Sequence, residues 1–253
     1  FRELEDELAR ASRMDEGTPV LQLLRAIVQM LRGEYAEAAD SLMELSGSRE
    51  VGAEAVWLAG VAWYLADRPE KSVRCHETAS RLAPRWVSIW GWLGLLYMGA
   101  GKDQTETKRE MYETSLQSFQ QALFLNPKHA DTLTNRGRLY QRLGALETDE
   151  KKAEKWISLA LQDYNSALEQ EPERGEMYVN RGVVHLKLSN IQRALSDFNK
   201  ALKLRPGMDP ALVNRGAAYT RLGDVGGAKE LIPSRCYRLA IADYDRVLSQ
   251  GFQ

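Results

Sequence analysis

The sequence predicts an all-α chain, a right-handed α-α superhelix of about six helix–turn–helix repeats. Three observations carry this. The triplet Asn-Arg-Gly occurs at Asn135-Arg136-Gly137, Asn180-Arg181-Gly182 and Asn214-Arg215-Gly216, and each copy is followed by an Asp-aromatic pair: Asp163-Tyr164, Asp197-Phe198 and Asp243-Tyr244. A pattern that recurs whole is the mark of one small structural unit copied along the chain. Aligned on the glycine, the residues downstream keep a fixed spacing: Gly60, Ser72, His76, Ala79 and Pro84 in one copy, Gly182, Ala194, Phe198, Ala201 and Pro206 in another. Within each half of a copy, small and apolar residues recur at three and four positions, the period of an amphipathic helix.

The register assigns units to 19–52, 53–86, 87–129, 130–174, 175–208 and 209–250, within an array 19–253. The small Gly and Ala positions are where two antiparallel helices touch. The large residue fills the groove beside them, and the closing Pro ends the second helix. A lone helix pair cannot bury its apolar face, so the units must stack.

The first unit is degenerate: Gly33-Glu34-Tyr35 and Ala38 fit, but Ala26 replaces the glycine and no Pro closes it. Insertions fall near 103–114, 145–156 and 224–236. The first two, polar and helix-prone, are expected to extend the second helix of their unit. The third, with Gly226-Gly227 and Pro233, reads as a loop followed by a helix start. Thr18-Pro19 carries an N-cap and N1 signature. Ahead of it, residues 1–18 read as a capping helix over Phe1–Met14 or as the end of a preceding domain.

Bulk properties narrow the function classes. The 253 residues are 44% hydrophobic and 27% charged, which excludes both a disordered chain and a membrane-embedded one. The longest apolar run, 87–98, is too short to span a bilayer. Basic and acidic residues number 6 and 11 over residues 1–50, 8 and 8 over 51–127, and 20 and 16 over 128–253. That gradient is too shallow for a nucleic-acid surface. Cys75 and Cys236, far apart and in different units, read as free thiols of a reducing compartment, and the expected location is cytoplasmic.

The repeat resembles the tetratricopeptide repeat, a helix–turn–helix unit of about 34 residues. The resemblance implies a protein-binding solenoid whose first helices line a concave face. It places on that face Trp57, Leu58, Val61 and Tyr64 in the second unit, and Trp92, Leu95 and Met98 in the third. In the later units it places Asn135, Arg138, Gln141 and Arg142, then Asn180 and Lys187, then Asn214 and Arg221. The groove therefore runs from apolar and aromatic to amide-rich and basic. Asn135, Asn180 and Asn214 are similar to the asparagine ladder of O-linked N-acetylglucosamine transferases, which holds extended polypeptide backbone; a family consensus residue is the other reading. Phe1-Arg2-Glu3-Leu4-Glu5-Asp6-Glu7-Leu8 looks like the closing helix of bacterial serine/threonine kinase domains.

Catalytic chemistry finds no foothold. His76 and His185 stand where other units carry an aromatic core residue, no His/Cys/Asp/Glu set has metal spacing, and no nucleophile-elbow sequence occurs. No cofactor and no metal are expected, and the chain is read as non-enzymatic. Arg136, Arg181 and Arg215 occur only in units that also carry Asp163, Asp197 and Asp243, so each Arg is expected to pair with an Asp inside the array. The function expected is a scaffold that binds a peptide or protein segment in its concave groove. The alternatives are a regulatory or substrate-recruiting arm of a larger signalling enzyme, such as a bacterial kinase, and a self-assembly module.

Overall fold

The structure is a computed structural model that describes residues 18–100, 105–225 and 233–250. The expected helix over Phe1–Met14 and the Gly226-Gly227 loop lie outside these residues. Among the described residues there are twelve α-helices and no strand. The chain divides into two compact units, Phe1–Pro127 and Lys128–Gln253.

The first unit holds α1 (Pro19–Leu31), α2 (Tyr35–Glu44), a 3-10 turn (Leu45–Gly47), α3 (Gly52–Leu65), α4 (Pro69–Leu82), α5 (Val87–Ala100) and α6 (Thr105–Leu125). The second holds α7 (Ala130–Leu146), α8 (Glu150–Gln170), α9 (Gly175–Lys187), α10 (Ile191–Leu204), α11 (Asp209–Asp224) and α12 (Pro233–Gln250). Within each unit the helices pair as antiparallel hairpins, and each hairpin's second helix packs on the first helix of the next: α2 on α3 and α4 on α5, then α8 on α9 and α10 on α11.

The glycine of the register is a point of close approach. A Cβ placed on Gly182 would lie 2.5 Å from the Phe198 ring, and one on Gly94 would lie 2.4 Å from the Phe119 ring. Only hydrogen fits there, so the partner helix seats its ring against the glycine backbone. The same contact is made by Gly60 with His76, Gly137 with Tyr164 and Gly216 with Tyr244. Phe119, Tyr164 and Phe198 are wholly buried as a result.

Two different polar latches hold the hairpins shut. In the second unit they are the Arg–Asp pairs expected from the sequence. Each is bidentate, with Nε and Nη2 donating to the two carboxylate oxygens: 2.8 and 2.7 Å for Arg136–Asp163, 2.9 and 2.6 Å for Arg181–Asp197, and 2.9 and 2.6 Å for Arg215–Asp243. Nη1 then reaches the preceding hairpin, donating to Asn165 Oδ1 from Arg181 (2.9 Å) and to Asn199 Oδ1 from Arg215 (2.8 Å). One guanidinium thus ties both the hairpin and the stack. In the first unit the Arg and Asp positions are Ala59 with Cys75 and Leu93 with Ser118. There a serine three residues before the Asp position donates to the glycine carbonyl instead: Ser72 Oγ to Gly60 O (2.7 Å) and Ser115 Oγ to Gly94 O (2.6 Å). The second unit carries Ala160, Ala194 and Ala240 at that serine position.

Hairpins without an insertion turn through a left-handed residue seven positions after the register position held by Ala26, Gly60 or Gly182: Gly33 (φ 83°), Asp67 (φ 57°) and Ser189 (φ 57°). The next amide closes back over five residues in each case, Glu34 N to Gln29 O, Arg68 N to Trp63 O and Asn190 N to His185 O, which satisfies a helix-end carbonyl. Where the insertions are described, most of their residues belong to the second helix of their unit. α8 begins at Glu150, where the Asp149 side chain accepts from the amides of Lys151 and Lys152. α6 begins at Thr105 and α12 at Pro233.

Candidate functional site

No group of three or more His, Cys, Asp or Glu among the described residues could hold a metal ion. The candidate site is the surface of the first helices, where the register places the partner-binding residues.

In the first unit, α3 and α5 are apolar almost all round. Glu54 is the one charged residue of α3, and α5 has none. A helix of that composition belongs in a core or against a partner. Ala59, Gly60 and Trp63 of α3, with Ile89 and Leu93 of α5, are buried as the register requires. The opposite side stays accessible: Tyr64 is 51% exposed, and Leu58, Val61, Trp92 and Leu95 are half-buried. Tyr64 meets Trp92 edge-on at 5.6 Å, and Trp92 stacks at 5.6 Å on His76 from α4. Trp57 packs against Trp86 at 5.5 Å, its indole N–H buried without a hydrogen-bond partner.

Met98 departs from the expectation. It is 4% exposed and so belongs to the interior. Leu186, at the same register position of α9, is buried too, whereas Tyr64 keeps its hydroxyl end in water. Trp90 is half-buried and donates its indole N–H to Pro84 O at 2.9 Å.

His76 is fully buried. Its Nδ1 meets Ser72 O at 2.8 Å, and its Nε2 has no partner. The carbonyl can only accept, so the proton sits on Nδ1. Burial lowers the pKa of His76, and the Ser72 carbonyl opposes this. Cys75 beside it is free and buried, which pushes its thiol up to about 11.

In the second unit the three asparagines occupy α7, α9 and α11 at one register position, each half-buried. Asn214 donates to Pro210 O at 2.7 Å, so one of its N–H groups is engaged by its own helix. Asn135 Oδ1 stands 3.5 Å from Arg138 Nη1. Asn180 lines a cleft of about 390 Å³ with Glu176, Arg205 and Asp209. Gln141 donates to Tyr164 Oη (2.8 Å), and Arg221 donates to Leu186 O (3.0 Å). Arg138, Arg142 and Lys187 are exposed. Sequence reasoning missed Asn165 and Asn199, the acceptors that join hairpin to hairpin; their constant place two residues after the paired Asp was the available signal. It also missed His129, which caps α7 by accepting from the Thr132 amide.

Stacked helical hairpins, each presenting part of its first helix to solvent, define a helical-repeat protein of the kind that works through protein–protein interaction. Residues 175–208 match the family model of the tetratricopeptide repeat, and residues 88–187 match that of the plant specific mitochondrial import receptor subunit TOM20. No curated protein matches the chain. Among solved structures, the chain is similar to TTC0263, a thermophilic TPR protein in Thermus thermophilus, with 18% identity, 79% of this chain and 98% of that chain covered, and a TM-score of 0.61. It is similar to YrrB, described as a TPR protein with an unusual peptide-binding site, with 18% identity, coverage of 81% and 95%, and a TM-score of 0.56. It also matches the APC/C hetero-tetramer Cut9-Hcn1 with 15% identity and a TM-score of 0.67, over 98% of this chain but 43% of that one. At such identities the likeness is one of fold. With the repeat register and the match over residues 175–208, the fold is that of a tetratricopeptide repeat array. No helix among the described residues is long and apolar enough to cross a membrane.

Proposed function

We propose that the chain is a non-enzymatic interaction module that takes partner segments on the accessible faces of its first helices. The observation that carries this reading is the apolar face of α3 and α5. Tyr64 and Trp92 stand together at a surface, flanked by Leu58, Val61 and Leu95, on two helices with almost no polar residue to solvate them. Clustered aromatics of this kind are the usual anchors of a protein interface. The second unit offers a different chemistry. Asn135 and Asn180, with Arg138, Gln141, Arg142 and Lys187 on the same helices, suit the carbonyls and acidic groups of an extended segment. Asn214 and Arg221 already bond to backbone carbonyls, and Gln141 to the Tyr164 hydroxyl.

Affinity capture with the intact chain, compared with Trp92→Ala and Asn180→Ala variants of unchanged melting temperature, tests the proposal. The Trp92 variant is expected to lose partners that the native chain retains. Retention of the full partner set by both variants would rule the first-helix faces out.

A further inference from the structure

A cleft of about 360 Å³ in the first unit is lined by Glu77, Ser80, Trp90, Leu93, Tyr97, Thr114, Gln117, Ser118 and Gln121. It shares no residue with the Tyr64–Trp92–His76 cluster. Its register counterpart in the second unit explains its chemistry. There Arg181 bridges Asp197 and Asn165, and the Arg181 and Lys200 cations lie 5.5 and 5.9 Å from the centre of the Tyr178 ring. In the first unit Trp90 replaces Tyr178 and keeps the aromatic face. Its indole N–H bonds to Pro84 O as the Tyr178 hydroxyl bonds to Pro172 O. Both cations are gone: Leu93 stands for Arg181 and Gln121 for Lys200. A carboxylate has appeared, because Glu77 stands for Asn165. The register thus loses two positive charges and the Asp197 carboxylate, whose place Ser118 takes, and gains the Glu77 carboxylate beside a retained aromatic wall.

The hydrogen-bonding groups point the same way. Ser80 Oγ donates to Glu77 O (2.8 Å), Thr114 Oγ1 to Glu110 O (3.0 Å) and Ser118 Oγ to Thr114 O (3.0 Å). The Tyr97 hydroxyl donates to Glu77 Oε1 at 2.6 Å, and burial, then this bond, holds the phenol proton on. Every hydroxyl proton and the indole N–H are therefore engaged. What remains toward the cleft is oxygen lone pairs, the second Glu77 oxygen and two glutamine amides. No salt bridge reaches Glu77 among the described residues. A cleft whose hydroxyl protons are all engaged, with Trp90 as one wall and a carboxylate that no salt bridge reaches, fits a flat cation with several N–H donors, the Gln117 and Gln121 amides being its remaining donors.

We propose that this cleft is a binding pocket for an arginine side chain presented by a protein partner. The guanidinium would donate to Glu77 and lie against Trp90, taking in trans the role that Arg181 performs within the chain.

The experiment is a titration of the intact protein with acetyl-Gly-Arg-Gly-amide, followed on the indole N–H resonances of its six tryptophans. Loss of one resonance in Trp90→Phe assigns Trp90. The expected result is a saturable shift of the Trp90 resonance with the arginine peptide and none with its neutral citrulline counterpart. Glu77→Gln should weaken binding about tenfold, the scale of one charge-assisted hydrogen bond at a half-buried site. Leu93→Arg combined with Ser118→Asp builds the internal pair into the pocket and should abolish binding while leaving the melting temperature at or above the native value. Equal shifts with arginine and citrulline peptides, equal binding of a lysine peptide, or undiminished binding by Glu77→Gln would overturn the assignment. The cleft shares no residue with the Tyr64–Trp92 face, so failure here is distinguishable from failure of the proposed function.

Discussion

Arg181→Ala isolates the polar latch of the second unit. The mutation leaves Asp197, 5% exposed, without the two N–H donors at 2.9 and 2.6 Å, and frees Asn165 from the third. Stranding a buried carboxylate costs about 3–5 kcal/mol. The low end applies, because the Arg181 side chain is 23% exposed and water can reach part of the vacated space. A unit spanning Lys128–Gln253 unfolds with an entropy near 0.26 kcal/mol/K, at about 2.1 cal/mol/K per residue. A loss of about 3 kcal/mol therefore lowers its melting temperature by about 11 °C. The control comes from the chain itself, which carries Leu93 and Ser118 at the same register. Arg181→Leu with Asp197→Ser removes both charges together, and replacing such a pair by neutral groups is often close to neutral. The double variant should recover most of the loss, with a coupling energy of about 2 kcal/mol in a thermal double-mutant cycle. A melting shift below about 3 °C for Arg181→Ala, or a double variant as unstable as the sum of the singles, would refute the reasoning.

Four further outcomes are expected. Gly182→Ala drives a methyl to 2.5 Å from the Phe198 ring and should cost about 1–3 kcal/mol by overpacking, read in chemical denaturation. Ser189→Gly relieves a serine held at φ 57° and should stabilise by about 1 kcal/mol, whereas a loss of stability would contradict the strain assigned to that turn. His76 has a lowered pKa when folded, so in acid the unfolded chain takes the proton first. The stability linked to it is full above about pH 6.5 and falls as pH drops below that; His76→Phe, which adopts the residue type of Phe119 and Phe198, should reduce that slope and leave the part due to His185, which burial also lowers. Cys75, pushed up to about 11 and buried, should resist a thiol reagent at neutral pH until denaturant is added, and rapid labelling of the native protein would contradict its burial.

The glycine-to-ring contact was legible in the sequence because hairpins without an insertion keep one spacing: twelve residues from Gly182 to Ala194, then four to Phe198, as from Gly60 through Ser72 to His76. The Arg–Asp pairing was legible for a different reason. Two charged residues that appear and vanish together betray a shared desolvation cost, which neither can meet alone. The serine latches were not legible. Ser72 and Ala194 both read simply as small, and only coordinates reveal that the hydroxyl of one reaches a carbonyl. Met98 went astray because periodicity assigns a direction to a side chain but not the depth to which a flexible one settles. The left-handed residues Asp67 and Ser189 escaped notice because they are not glycine, although they close the same turn as Gly33.

The two latches also account for where recognition chemistry can arise. A guanidinium held by its own Asp and by the Asn of the preceding hairpin satisfies the space between two repeats, so the Arg181 and Arg215 positions of the second unit have their polar groups matched internally. A serine bonded to a glycine carbonyl shuts the hairpin equally well but reaches nothing beyond it. The space between α4, α5 and α6 is then left with an aromatic wall, a carboxylate and spare lone pairs, and no Lys or Arg among its described lining residues. Exchange of one hairpin latch for another is therefore sufficient to convert a structural position into a binding one. If that is the origin of the pocket, restoring the latch in Leu93→Arg with Ser118→Asp must close it. Breaking the Ser115 latch with Ser115→Ala should loosen α5 from α6 by about 1 kcal/mol yet leave the affinity for the arginine peptide unchanged.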